Sequence, residues 1–204
     1  MHDDTDLTAT APAAAVTDWP IHLADQLRWH WEHQLRPRLD GLTDDEYLWE
    51  PVPGCWSLRP REQSTTTFPA GSGRLVADFA FPPPDPAPVT TIAWRIGHVI
   101  VGVFGLRNAA HFGGPPIDYA SVEWPETASA ALEELDAGYE RWMSSITALD
   151  LDRLATPVGA AEGEFAELPM MALVLHIHRE VIHHGAEVAL LRDLYGASEG
   201  RSLA

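Results

Sequence analysis

The fold class predicted by this sequence is an all-α four-helix bundle, and three observations predict it. Four separate segments repeat apolar residues at helical spacing, a long Pro- and Gly-interrupted connection separates the first from the second, and no internal repeat of fixed period is present. The 204 residues suit one domain with a real core. Residues 1–18, acidic and small, read as a disordered lead-in, and 19–204 as the bundle domain.

Helix one follows from Leu23, Leu27, Trp31, Leu35 and Leu39, which recur every fourth position between Trp19 and Leu39. "DGLTDDEYLWEPVPGCWSLRPRE" comes next, where Pro51, Pro53 and Gly54 break any periodicity. Within it Thr43 reads as an N-cap, with Glu46 completing a capping box. Residues 64–90 continue the connection, with "PAGSG" and "PPPDPAP" flanking "RLVADFAF", a candidate short strand. Connections this long are uncommon inside a compact domain and tend to be lids or binding loops. The large aromatics Trp49 and Trp56 therefore predict a loop packed over the functional end of the bundle.

Helix two is expected from about Thr91 to Ala110, apolar nearly all round and capped by Thr91. Gly102, Gly105 and Ala109 share a stripe with His98, leaving room beside that histidine for a neighbouring helix or a cavity. Helix three takes residues 127–149, with Leu132, Leu135, Tyr139, Trp142, Ile146 and Leu149 at steps of three and four. A loop leads to Pro169, and helix four is expected from there to Tyr195, stopping at Gly196.

Composition narrows the function. A formal charge of −17, with 13 scattered basic residues, argues against nucleic acid as a partner. No apolar run reaches the roughly 18 to 20 residues that span a bilayer, and the N-terminus lacks the pattern of a secretory signal. The expectation is a cytoplasmic protein acting on a small molecule. The single cysteine, Cys55, excludes a cysteine-cage zinc site, so any metal must sit on histidines and carboxylates. Cys55 has no neighbouring base in sequence and makes a poor nucleophile.

In "LHIHREVIHHGAEVALLRDLY", Leu173, Ile177, Val181, His184, Val188, Leu191 and Tyr195 fall on one stripe of helix four, with Glu180 pointing the same way one turn before His184. Side chains one turn apart are about 5–6 Å apart at Cβ and can converge on one ion. His98 adds a third candidate from the middle of helix two. Two readings stand at this point: a metal centre, or a His184–Glu180 hydrogen bond in an apolar core. An unpaired buried carboxylate costs several kcal/mol, and either arrangement relieves it. His176 and His183 lie on the flank of the stripe, His178 is expected to face solvent or a partner, His30 and His33 read as solvated, and His111 as a C-terminal dipole contact. Ile182, almost opposite His184, raises a homodimer interface.

"GLTDDEYLWEPVPGCWSLR", "TIAWRIGHV" and "REVIHHGAEVALLRDLYG" together resemble the DinB/YfiT-like superfamily of metalloenzymes, over nearly all of the chain after about residue 20. The resemblance implies a four-helix bundle that holds a divalent metal, Zn, Ni or Fe, on one side chain of helix two and two of helix four. Carried over by position these are His98, Glu180 and His184. Many members have histidine where this chain has Glu180; the glutamate version is similar to the branch containing mycothiol-dependent maleylpyruvate isomerase, although that enzyme has a C-terminal domain with no counterpart in these 204 residues. The implied functions are a thiol-dependent transferase using mycothiol or a similar cofactor, a metal-dependent hydrolase, or a non-catalytic small-ligand-binding bundle, with Trp19, Trp49, Trp56 and Trp94 suited to line such a pocket. In the catalytic readings the substrate is expected beneath the 51–90 loop, and His183 and Glu187 lie close in sequence as acid or base candidates.

Overall fold

The computed structural model of the protein describes residues 18–64 and 66–198. The lead-in expected over residues 1–18 lies outside that range except for Asp18, whose carboxylate caps α1 (Trp19–His30) by accepting from the Ile21 amide at 3.4 Å. The remaining elements are α2 (Asp44–Tyr47), β1 (Leu58–Pro60), β2 (Leu75–Ala77), α3 (Ile92–His98), α4 (Leu106–Phe112), α5 (Ala128–Thr147), α6 (Leu151–Ala155) and α7 (Met170–Ser198). None of these helices is long and apolar enough to cross a membrane.

Four long rods form the bundle. The first is α1 continued by a π-helical segment, Trp31–Leu35, and a 3₁₀ turn, Arg36–Leu39. Joined by a second π segment, Val99–Gly105, α3 and α4 make the second rod, capped by Thr91 through the Trp94 amide and ended by Gly113 in the left-handed conformation. The other two are α5, capped by Thr127, and α7. Each rod packs on two neighbours, α1 and α3 both touching α5 and α7. Leu35 meets Gly185 and Arg38 meets Asp193, so the first rod runs parallel to α7; Arg95 meets Glu187 while His98 meets His184, so α3 runs against α7.

The core is filled where the apolar stripes converge. Leu27, Trp31, Leu35 and Leu39 are buried on the first rod and Leu135, Trp142 and Ile146 on α5, as their spacing predicts. Trp31 stacks on Tyr139 at 4.0 Å between centroids and meets Phe104 edge-on. On α7 the burial is wider than one stripe. Beside Leu173, Ile177, Val181, His184 and Val188, a second row of Val174, His178 and Gly185 is also buried. Neighbours on two sides produce this: α1 closes on Gly185, where a Cβ would lie 2.8 Å from Leu35, and α6 packs alongside. The helix also passes Gly196, which keeps a helical backbone, and runs to Ser198, so that glycine is not its terminator.

The connection between the first two rods folds onto one end of the bundle. β1 and β2 pair antiparallel, Leu58 opposite Ala77, confirming the short strand in "RLVADFAF". Thr43 caps α2 through the Glu46 amide, but the Glu46 carboxylate does not turn back to complete a capping box. It is buried against Arg192 of α7 instead, with bonds of 2.6 and 3.1 Å. The Tyr47 hydroxyl donates to the Pro125 carbonyl at 3.2 Å, and Trp49 meets Tyr195 edge-on. This end is therefore tied to α7 by a buried ion pair and aromatic contacts.

Removing one partner of a buried ion pair leaves the other charge uncompensated, which costs about 3–5 kcal/mol. Arg192→Ala should lower unfolding free energy by that order in urea, and adding Glu46→Gln should recover part of the loss. A cost below about 1 kcal/mol, the range of solvent-exposed pairs, would contradict a buried tie.

Candidate metal centre

His98 is the last residue of α3, and the π segment begins at the next residue. Leu106 N–H reaches back five residues to the Val101 carbonyl, a widening that recurs at functional sites. From the antiparallel α7, Glu180 and His184 project one turn apart toward His98. The candidate ligand atoms of His98, Glu180 and His184 all lie within 4.8 Å of one another. The two imidazoles stand edge to face, 4.9 Å between centroids. His184 is buried, and His98 and Glu180 are half-buried.

Each imidazole is held at Nδ1. The Tyr119 hydroxyl lies 2.9 Å from His98 Nδ1, and a Glu187 oxygen lies 2.7 Å from His184 Nδ1. Glu187 is itself 2.9 Å from the Arg95 guanidinium. Carboxylate and hydroxyl partners of this kind fix the tautomer and the ring direction of metal-binding histidines. Burial, reinforced by His184 and Arg95 nearby, pushes the His98 pKa down to about 4; burial also lowers that of His184 against the opposing pull of Glu187. Both rings are therefore neutral near pH 7.

With the His184 proton on Nδ1 facing Glu187, Nε2 presents a lone pair to the Glu180 carboxylate 3.3 Å away. Two acceptors then face each other; a metal ion between them relieves the repulsion, as does a second proton on His184, which would donate to both carboxylates. The donor set of two imidazole nitrogens and one carboxylate oxygen fits zinc, nickel or iron rather than calcium or magnesium, which favour oxygen ligands. His183, His184 and Glu187 form a second convergent group, but His183 is exposed and Glu187 is already engaged by Arg95.

Over His98 lies an aromatic cover. Trp94 stacks on the imidazole at 5.7 Å, Trp56 packs on Trp94 at 5.6 Å, and Trp94 Nε1 donates to the Asp78 carbonyl beside β2. Trp56 thus belongs to the expected lid. Trp49 caps the same end of the bundle but sits beside Tyr195, eleven residues beyond His184, about 16 Å along the helix. Trp19 is half exposed at the start of α1 and lines nothing near the centre. The space under the lid, bounded by Phe79, Trp94, His98, Tyr119 and Trp124, is only about 20 Å³, so the 51–90 loop does not roof a substrate chamber in this conformation.

Tyr119 is the site residue that sequence reasoning missed. Its signal was the row of glycines on helix two: a Cβ at Gly102 would collide with the Tyr119 hydroxyl, and one at Gly105 would come within 2.9 Å of Ile117. The room beside His98 is filled by the segment after α4, neither a neighbouring helix nor a cavity. Cys55 is buried, its thiol pKa raised first by burial and then by Glu50, in keeping with an unreactive thiol.

His178 corrects a sequence expectation. It is fully buried instead of facing solvent, on the second row of α7, edge-on to Trp142 at 6.3 Å. Among the described residues neither ring nitrogen has a partner, and burial pushes its pKa to about 4. His111 is bonded to Glu162 at 2.8 Å instead of serving only the helix terminus, and His30 is half-buried with Nε2 unpartnered. His33 is exposed and stacked on Trp29, as its position on helix one implies.

The family model of the DinB superfamily matches residues 26–188, a span that includes all three converging side chains. No curated protein and no solved structure matches the chain.

An unpartnered buried imidazole carries a desolvation cost of about 1–3 kcal/mol. His178→Leu, close in volume, should leave metal content unchanged and keep or raise the urea midpoint. A clear loss of stability would show that the ring is hydrogen-bonded through internal water.

Proposed function

Since the chain belongs to the DinB superfamily, we propose that it is a divalent-metal-dependent enzyme, with His98 Nε2, His184 Nε2 and a Glu180 oxygen as the metal ligands. The observation that carries the reading is the convergence of His98, Glu180 and His184, whose candidate ligand atoms all lie within 4.8 Å of one another while His184 Nδ1 is held by Glu187. Three protein ligands leave coordination positions open, as in catalytic rather than structural sites. When bound there, the ion lowers the pKa of a coordinated thiol or water and supplies a nucleophile at neutral pH.

The chain's own residues have definable tasks. Tyr119 and Glu187 hold the two rings with Nε2 toward the centre, and Arg95 balances the Glu187 charge. Trp94 and Trp56 exclude water from the face of His98. Glu187 is engaged on both sides, which disfavours it as a general base, and His183 is exposed, 3.5 Å from Glu187. The substrate in this reading is a small molecule, and a low-molecular-weight thiol of the mycothiol type is the first co-substrate to test. Metal-dependent hydrolysis is the second.

Protein purified without a metal-affinity tag should contain close to one equivalent of transition metal by mass spectrometry, and His98→Ala or His184→Ala should remove it. Protein that folds but binds no added zinc, nickel or iron would overturn the reading. A thiol-transfer screen comparing mycothiol with other thiols then separates a transferase from a hydrolase active without thiol, and ligand binding without turnover would indicate a binding protein.

Tyr119→Phe and Glu187→Gln keep all three ligands; the first removes the orienting bond to His98, and the second weakens the one to His184 and removes the charge facing Arg95. Each should weaken metal affinity by about 10- to 100-fold, measured by competition with a chromophoric chelator. Trp56→Ala should retain the metal and change activity or selectivity, since it uncovers Trp94 without touching a ligand.

A further inference from the structure

A cavity of about 380 Å³ lies on the other side of the centre from the aromatic cover, between α4, the N-terminal half of α7 and the segment at residues 158–168. Its volume falls within the range of small-ligand sites, about 300–1,000 Å³. None of its lining residues has been assigned a task above.

One wall is apolar and incompletely covered. Phe165 and Leu168 are 56% and 47% exposed at its edge, while Leu173 is buried at its back. Exposed large apolar side chains gathered around one concavity are what a bound apolar group would remove from water.

The polar part carries two guanidiniums. Arg107 Nη1 donates to the Gly102 carbonyl at 2.7 Å and Nη2 to Glu162 at 3.2 Å, while Nε is buried without a partner among the described residues. Arg179 is 2.7 Å from His176 Nδ1 and only 3.8 Å from Glu180. Glu162 divides its two oxygens between Arg107 and His111. The wall itself holds two arginines and one carboxylate, and the second carboxylate, Glu180, stands just outside it beside Arg179.

The wall of the cavity adjoins the centre. His176, on its wall, lies 3.5 Å from Glu180, and Gly102, which accepts from Arg107, sits beside His98. We infer that this cavity binds a small amphipathic carboxylate, its carboxylate on Arg179 and Arg107 and its apolar part against Phe165, Leu168 and Leu173. A planar guanidinium matches a carboxylate in a two-bond fork, and Arg179, largely exposed and only loosely paired with Glu180, is free to offer one. The binding stands by itself, whereas the role of the bound acid as substrate rests on the metal-enzyme reading.

The probes are octanoate, octan-1-ol and octylamine, titrated calorimetrically into the full chain. Octanoate should bind near one equivalent and at least tenfold more tightly than the alcohol, with no detectable binding of the amine. Arg179→Gln, a substitution at a largely exposed side chain, should weaken octanoate by about tenfold, the scale of one charge-assisted bond. Leu168→Asp should abolish binding. His184→Ala should leave octanoate affinity within about threefold. Equal binding of acid and alcohol, or indifference to Arg179→Gln, would overturn the assignment. So would loss of octanoate binding together with the metal in His184→Ala, because the carboxylate would then sit on the ion. Metal-free wild type that binds octanoate supports the cavity and counts against the metal enzyme; metal-loaded wild type that ignores octanoate does the reverse.

Discussion

The structure is organised around a carboxylate and two imidazoles that meet where α3 crosses α7. Bringing such groups together away from water is costly unless each lone pair and proton has a partner. Here the partners are arranged in series: Arg95 neutralises Glu187, Glu187 holds His184, and Tyr119 holds His98. What remains is an inward-facing set of acceptors whose natural complement is a cation.

Much of the surrounding fold can be understood as making space for that arrangement. Glycines on the second rod admit the segment after α4 closely enough for Tyr119 to reach His98, and Gly97 does the same for Trp124, where a Cβ would come within 2.9 Å of the indole. The π segment starts at the residue after His98. On the opposite rod, Gly185 follows His184 and lets Leu35 of α1 approach, which locks α7 against rotation about its axis. A rotation would carry Glu180 and His184 off the centre together, because they share one face.

The two sides of the centre differ in character. Toward the first connection it is dry and aromatic, with Trp94, Trp56 and Trp124 leaving little room. Toward residues 158–168 its neighbours His176 and Arg107 form the wall of a larger cavity, held in part by the Glu162 contacts to Arg107 and His111. A rigid cover on one side and an open cavity on the other would give a bound small molecule one direction of approach.

The residue pattern alone yields the four rods, the cap at Thr91, and the stripe that carries Glu180 and His184, because periodicity reports which side chains share a face of their own helix. It also placed His98 among apolar residues of the second rod. Only the tertiary structure decided what lies opposite each face. His178 was misplaced because α7 is covered on two sides, which no wheel of a single helix can reveal. Tyr119 was missed because it comes from irregular chain that carries no period and is brought in by Gly102 and Gly105 of the second rod. The Glu46–Arg192 tie and the cavity at residues 158–168 depend likewise on contacts between distant segments, and such contacts are set by how the rods pack and where the loops return.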